Sequence, residues 1–206
     1  MTMMSSPEPP YKDRKYARIE SELRYFIDNA FRDPKRNFGL DTIMEMDALH
    51  LVRFPPENLR QFPTIIFMFK SMDPYPNAWG HIEKYDHNGV GYTGAQYNIN
   101  FEIHAIIERH AAIVYNGVKY QHVEGNYSVL PSKPGTLDVL KSVIQWILLA
   151  NQEDCNPERD WGWRSLKLLS VDYHQNYNGD RNLFGVRFRC TIDWEWDVPF
   201  SEIGYI

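Results

Sequence analysis

A chain of 206 residues with 22 basic and 27 acidic side chains, a net charge of −5, sits at the upper edge of one ordinary domain. At that size a chain buries about 70% of its unfolded surface, so neither a disulfide nor a metal is required to hold it together. The mild acidity, with no clustered basic excess, excludes a general nucleic-acid binder.

The two cysteines, Cys155 and Cys190, form no spacing motif and read as free thiols of a reducing compartment. No apolar run reaches the roughly 18–20 residues of a membrane span, so no membrane is expected as a partner. The N-terminal stretch with Pro7, Glu8, Pro9 and Pro10 is polar and proline-rich, unlike a secretion signal, which implies synthesis and folding in a cytoplasm. Aromatic residues make up 15% of the chain, with six Trp and thirteen Tyr, more than one sheet face needs. Aromatic rings are favoured at protein interfaces, so the excess points to partners.

Residues 1–12 are expected to form a flexible arm, because Pro and small polar residues cannot build a core. From Arg14 to Arg32 the apolar positions Ile19, Leu23, Phe26 and Ala30 lie on one face of an amphipathic helix, which Asp33-Pro34 ends. Residues 35–62 fit a short helix or an irregular strand equally well. Thr64 to Phe69 is a β-branched and aromatic run beginning after Pro63, a buried strand. A polar loop with Trp79, His81, Asp86 and His87 is expected next.

Two alternating segments carry the architecture. Tyr97, Ile99, Phe101, Ile103 and Ala105 alternate with Asn98, Asn100, Glu102 and His104. Nearer the C-terminus, Val186, Phe188, Cys190, Ile192, Trp194, Trp196 and Val198 alternate with Arg187, Arg189, Thr191, Asp193, Glu195 and Asp197. A period of two marks a strand with one face buried and one wet. Asn116-Gly117 between two short apolar runs is a type I′ hairpin signal. Asn178-Gly179 joins Leu166–Tyr173 to the last strand as its antiparallel neighbour. Between these turns lies a second helix, with Thr136 as N-cap, the stripe Leu137, Leu140, Ile144 and Leu148, and Asn151 at its end. Residues 13–206 therefore read as one α+β domain, an antiparallel β-sheet with helices packed on one face.

Motifs for chemistry are sparse. Gly89-Val90-Gly91-Tyr92-Thr93-Gly94 spells G-x-G-x-x-G, but a polar segment precedes it and a strand follows, so the helix N-terminus that would hold a pyrophosphate is missing. A flexible glycine loop is expected instead. His104, Glu108 and His110 share one face only if their strand runs straight, with neighbours roughly 7 Å apart, too far to share a zinc without outside ligands. They read as solvated polar positions, as do His81, Asp86 and His87. No hydrolase, zinc-protease or P-loop motif occurs. The expectation is no catalytic, cofactor-binding or metal residue, no cofactor, and no enzyme. The wet face of the last strand stands out. Arg187 and Arg189 at one end, with Asp193, Glu195 and Asp197 at the other, form a segregated charge stripe suited to a subunit interface or a lumen. Local cross-strand pairing is the alternative.

The order of elements resembles that of tail terminator (neck) proteins of long-tailed bacteriophages. The resemblance spans about residues 14–198: the first helix, the strand opening after Phe62-Pro63, the alternating strand around Tyr97–Ala105, the helix Leu137–Ala150, and the hairpin through Tyr177-Asn178-Gly179-Asp180 into Phe188–Val198. It implies a structural virion protein forming a homohexameric ring that caps the tail tube, stops its growth and meets the head connector. DNA would pass through without being read. Another head–tail connector component, a small-ligand-binding α+β domain, and an enzyme built from the dispersed histidines and carboxylates are the alternatives.

Overall fold

The computed structural model describes residues 23–52, 59, 61–74, 82–85, 91–121, 135–152 and 163–199, with backbone alone for 74, 82–85, 91–96, 163–164 and 194–199. The arm at 1–12, the helix up to residue 22, Pro55-Pro56, Trp79, His81, Asp86, His87, Gly89 and Cys155 lie outside the described residues. Helix α1 covers residues 23–32, and 3-10 turns at Leu40–Thr42 and Met46–Ala48 follow. Next come strands β1 (Leu49–Val52), β2 (Thr64–Pro74), β3 (Ile82–Tyr85), β4 (Gly91–Glu108), β5 (Ala112–Tyr115) and β6 (Val118–Gln121). Helix α2 (Thr136–Ala150), β7 (Trp163–His174), a 3-10 turn at Tyr177–Gly179 and β8 (Leu183–Pro199) complete the order.

The fold is α+β with a mostly sheet core. Six strands form the main sheet in the order β1-β2-β4-β8-β7, with β3 also pairing β4, while β5 and β6 form a separate hairpin. β8 pairs with β4 along its whole length, and the register sets Ile99 beside Ile192, Phe101 beside Cys190, Ile103 beside Phe188 and Ala105 beside Val186. All eight are buried. The alternation expected for both strands is therefore what aims one row of apolar side chains at the helices. The main sheet is not purely antiparallel, because β1 runs parallel to β2. The Thr64 hydroxyl, donating to the Ala48 carbonyl at 2.8 Å, fixes that entry. The ambiguous stretch thus resolves into two 3-10 turns and a short parallel strand in its described part.

Both helices cover the same sheet face. In α1 the buried positions Leu23, Ile27 and Phe31 and their neighbours Phe26 and Ala30 repeat at a spacing of four. The last turns, Ile27–Arg32, are wound as a π-helix. Phe31 meets Phe67 edge-on at 4.8 Å between ring centroids. Asp33 leaves the helix in an extended conformation, the consequence of Pro34 after it.

In α2 the expected stripe Leu137, Leu140, Ile144 and Leu148 is buried, joined by Val143 and Ile147. The N-cap is Gly135, not Thr136. Thr136 is the first helical residue, and its hydroxyl lies 3.0 and 3.2 Å from the carbonyls of Ala111 and Tyr120, tying the helix to the β5–β6 hairpin. The cap interaction comes from Asp138, whose carboxylate accepts the Gly135 N–H at 3.1 Å. Asn151 closes the helix, donating its side-chain amide to the Ile147 carbonyl. Both turn residues of Asn116-Gly117 have positive φ, 50° and 74°, as a type I′ turn requires.

Other expectations need correction. Gly91 to Gly94 is not a loop: these residues are the start of β4 and pair with β3, which itself lies inside the expected polar loop. The second face of the sheet is not wet throughout. Ile66, Met68, Ile106 and Tyr177 are buried there with Leu59, Phe62, Val52 and Leu183 packed around them, and His104 and Thr191 are buried on it too. The polar half of an alternating pattern gives no warning that a loop folds back over it.

The register has a direct stability consequence. Ile192→Ala should lower unfolding free energy by about 2–5 kcal/mol in urea titrations, the range for a buried aliphatic truncation. Arg189→Ala, on the opposite face and half exposed, should cost under about 1 kcal/mol. Equal losses would contradict the register.

Candidate functional site

The first candidate surface is the open face of the sheet, turned away from α1 and α2. Arg187 and Arg189 both lie there, but each has carboxylate partners on neighbouring strands. Arg187 reaches Asp172 of β7 at 3.2 Å and Glu102 of β4 at 4.0 Å. Arg189 lies 3.7 Å from Glu102 and 3.8 Å from Asp172. Lys70 of β2 contacts Glu102 at 3.1 Å, and Lys167 of β7 contacts Asp193 at 3.2 Å. The stripe that looks segregated along β8 is thus matched across strands, as period-two pairing allows. Glu195 and Asp197 continue the same strand, and their side chains lie outside the described residues.

Glu102 is the hub of this network. Burial pushes its carboxyl up, but hydrogen bonds from His104 and Lys70 and the Lys70 charge outweigh that, leaving it below its ordinary value. Beside it, His104 Nε2 lies 2.9 Å from the Glu102 carboxylate, and His104 Nδ1 lies 2.7 Å from the Tyr177 hydroxyl. The Tyr177 ring stands edge-on to the imidazole at 5.6 Å. Burial lowers the His104 pKa, more than Glu102 raises it. Burial also pushes the Tyr177 hydroxyl up to about 12. Tyr177 fits because residue 185 is glycine: a Cβ there would stand 2.9 Å from the Tyr177 ring.

The second candidate surface runs along α2 and β7, the end strand of the described sheet. Trp146 is 60% exposed, Leu149 57% and Leu169 61%, with Leu168 and Phe38 also exposed beside them. Phe38 and Trp146 are neighbours, 6.4 Å between ring centroids. Between α2 and β7 a groove of about 410 Å³ is lined by Trp146, Leu149, Leu166 and Leu168, with Cys190 among its lining residues. The Cys190 thiol is 1% exposed. Burial pushes its pKa up to about 12, which makes it inert core. β7 is bulged at two places, between Arg164 and Lys167 and between Leu168 and Ser170. The second bulge leaves Leu169 without a cross-strand partner, and Leu168 and Leu169 are both exposed. Bulges also spoil an edge for the addition of another strand.

The histidine candidates separate. His104 is buried in the relay, not solvated, while Glu108 ends β4 and His110 lies exposed in the following turn. Among the described residues no group of three or more His, Cys, Asp or Glu side chains is placed to hold a metal ion. No described helix is long and apolar enough to cross a membrane. Sequence reasoning missed Trp146, Leu149 and Leu169. On a helical wheel, Trp146 and Leu149 fall off the Leu137–Leu148 stripe, and that displacement was the available signal.

Gly185→Ala should destabilise the chain by about 1–3 kcal/mol, the usual cost of overpacking, although Ala otherwise suits a strand better than Gly. In the Tyr177→Ala background the same substitution should cost little, since the clashing ring is gone. A double-mutant cycle by urea unfolding measures the difference, and purely additive effects would contradict the contact.

Comparison with known proteins gives limited overlap. No protein-family model matches the sequence, and no curated protein matches it at a significant level. Among solved structures, a chain from one titled "Virion of native gene transfer agent (GTA) particle" superposes with a TM-score of 0.44 and 11% sequence identity. That superposition covers 86% of this chain and 98% of the other.

Proposed function

We propose that this chain is a structural virion protein, a tail terminator or neck component, and not an enzyme. It would assemble as a homohexameric ring that caps the tail tube and joins it to the head connector. The observation that carries this reading is the apolar edge of α2 and β7. Large apolar side chains exposed together, beside a groove of side-chain size, mark an association surface. A projecting Trp146 and an open groove on one edge suit packing against another copy of the chain, and the bulges of β7 direct that contact to side chains instead of strand addition.

The open face supports the same reading. Lys70, Lys167, Arg187 and Arg189 each lie within 4.0 Å of a carboxylate oxygen. Cations neutralised within the chain release few counterions on meeting phosphate, so such a face lets DNA pass without holding it. Arg187, Arg189, Asp193, Glu195 and Asp197 are then residues of the lumen or of the subunit boundary. The element order resembling tail terminators supplies the ring and its neighbours, the tail tube and head connector. The place of action is the virion.

Native mass spectrometry and negative-stain microscopy test the assembly. Wild-type protein should give hexamers and rings. Trp146→Glu and Leu169→Glu should each yield folded monomers, because both side chains are exposed. A wild-type chain that stays monomeric at every soluble concentration would overturn the reading. A monomer that co-purifies with a small apolar molecule in the groove would replace it with a ligand-binding domain.

Reversing Asp193, Glu195 and Asp197 to Lys probes the open face. Loss of the Lys167–Asp193 pair should cost under about 1 kcal/mol, so the triple variant should fold. It should fail to form rings or slow DNA passage. Normal rings with full infectivity would remove these residues from the lumen and the boundary.

A further inference from the structure

The relay of Tyr177, His104 and Glu102 takes no part in the proposed association, yet it is buried, directional and titratable. Its geometry fixes where the protons sit. The Glu102 carboxylate only accepts, so His104 Nε2 carries the hydrogen that bridges the 2.9 Å separation. Nδ1 is then the bare nitrogen, and it accepts from the Tyr177 hydroxyl at 2.7 Å. Among the described residues His104 is the hydroxyl's hydrogen-bond partner. The Tyr177 ring is 4% exposed and seated over Gly185, so it anchors the loop between β7 and β8 to the open face.

We propose that this relay is a proton-operated latch: neutral His104 holds the β7–β8 loop down through Tyr177, and protonation of Nδ1 releases it. Once Nδ1 carries a hydrogen, it can only donate to the Tyr177 oxygen, and the Tyr177 O–H···Nδ1 bond is lost. The hydroxyl must then turn its own hydrogen away from His104, its hydrogen-bond partner among the described residues, which is costly for a buried donor. The surroundings oppose the added charge. Lys70 of β2 and Arg187 of β8 both act against it, and Glu102 of β4 alone favours it. β7 contributes Asp172, which is already engaged by Arg187, and His174, which stands across from Gly185. What opens is the cleft of about 520 Å³ lined by Tyr177, Asn178, Asp180 and Asn182 on the loop and by Glu108 and His110 opposite.

The direction with pH follows from the lowered His104 value. The unfolded or released state binds the proton more readily, so the latch is fully held above the ordinary histidine value of about 6.5. It weakens as pH falls below that. Glu102 is also below its ordinary value, so its share is lost only in the carboxylate range, at lower pH.

Hydrogen-exchange mass spectrometry on the full chain, with exchange corrected for intrinsic rates, reads the loop directly. Protection of residues 176–183 should fall by about tenfold between pH 7.5 and 5, the equilibrium effect of leaving one buried hydroxyl unsatisfied, with α2 unchanged. His104→Gln, whose amide both accepts and donates but does not titrate, should keep the loop protected across that range. Tyr177→Phe should leave the loop weakly protected at both pH values. Nitrogen-15 spectra of the wild-type imidazole should show the Nε2–H tautomer at neutral pH. A flat wild-type profile, a His104→Gln profile that falls like wild type, or an Nδ1–H tautomer would each overturn the latch. None of these readouts depends on whether the chain forms rings.

Discussion

The pairing of β4 with β8 is the constraint on which everything else in this molecule rests. β8 runs beside β4 from Leu183 to Pro199 without a break in register. A slip of one residue would turn Arg187 and Arg189 towards α1 and α2 and expose Ile103 or Phe188. Burying unpaired guanidinium groups is costly enough to exclude that alternative. The same register sets Glu102 beside Arg189 and His104 beside Arg187. It also places Gly185 where Tyr177 can lie over it and Cys190 where it lines the α2–β7 groove. One pairing therefore positions the charge network, the relay and the apolar groove together.

The two faces of the sheet solve different problems. The covered face is apolar and closed by the helices, with Phe31, Phe67 and Phe188 fully buried in one core. The open face is divided. Towards the β1–β2 end it carries a small apolar cluster beneath Tyr177, and beyond that a network in which Glu102 meets Lys70, His104, Arg187 and Arg189. Half-buried charges of this kind add little net stability, but they fix strand order, because Lys70 on β2 and Arg187 and Arg189 on β8 each reach Glu102 on β4.

The edges behave differently. β1 is only four residues long, a short edge that offers little to an added strand. β7 is twelve residues long, and two bulges interrupt its pairing. Those bulges spoil the backbone as a template, and Leu168 and Leu169 beside them are exposed. With Trp146 and Leu149 on α2, Leu168 lines an exposed apolar groove between helix and strand. Association there would be driven by apolar burial, which is non-directional, and given its geometry by the groove.

Much of the fold could be read from residues alone because its signals are local. The period of two in Tyr97–Ala105 and Val186–Val198, the Asn-Gly turns, the four-three spacing of α2 and the stop at Asp33-Pro34 are each set by neighbours a few positions apart. Those patterns identified strands β2, β4, β7 and β8, the hairpin and the helices, and they marked Arg187, Arg189 and Asp193 as outward-facing. Tertiary structure decided the rest, because it depends on residues distant in sequence. Parallel β1 needs β2 beside it. His104 is buried only because Tyr177, from the β7–β8 loop, folds over Gly185. Arg187 and Arg189 are neutralised by Asp172 and Glu102 from other strands. Trp146 and Leu149 form a surface only once β7 lies next to α2. A one-dimensional pattern fixes which way a side chain points, and only the packed chain determines what it meets there.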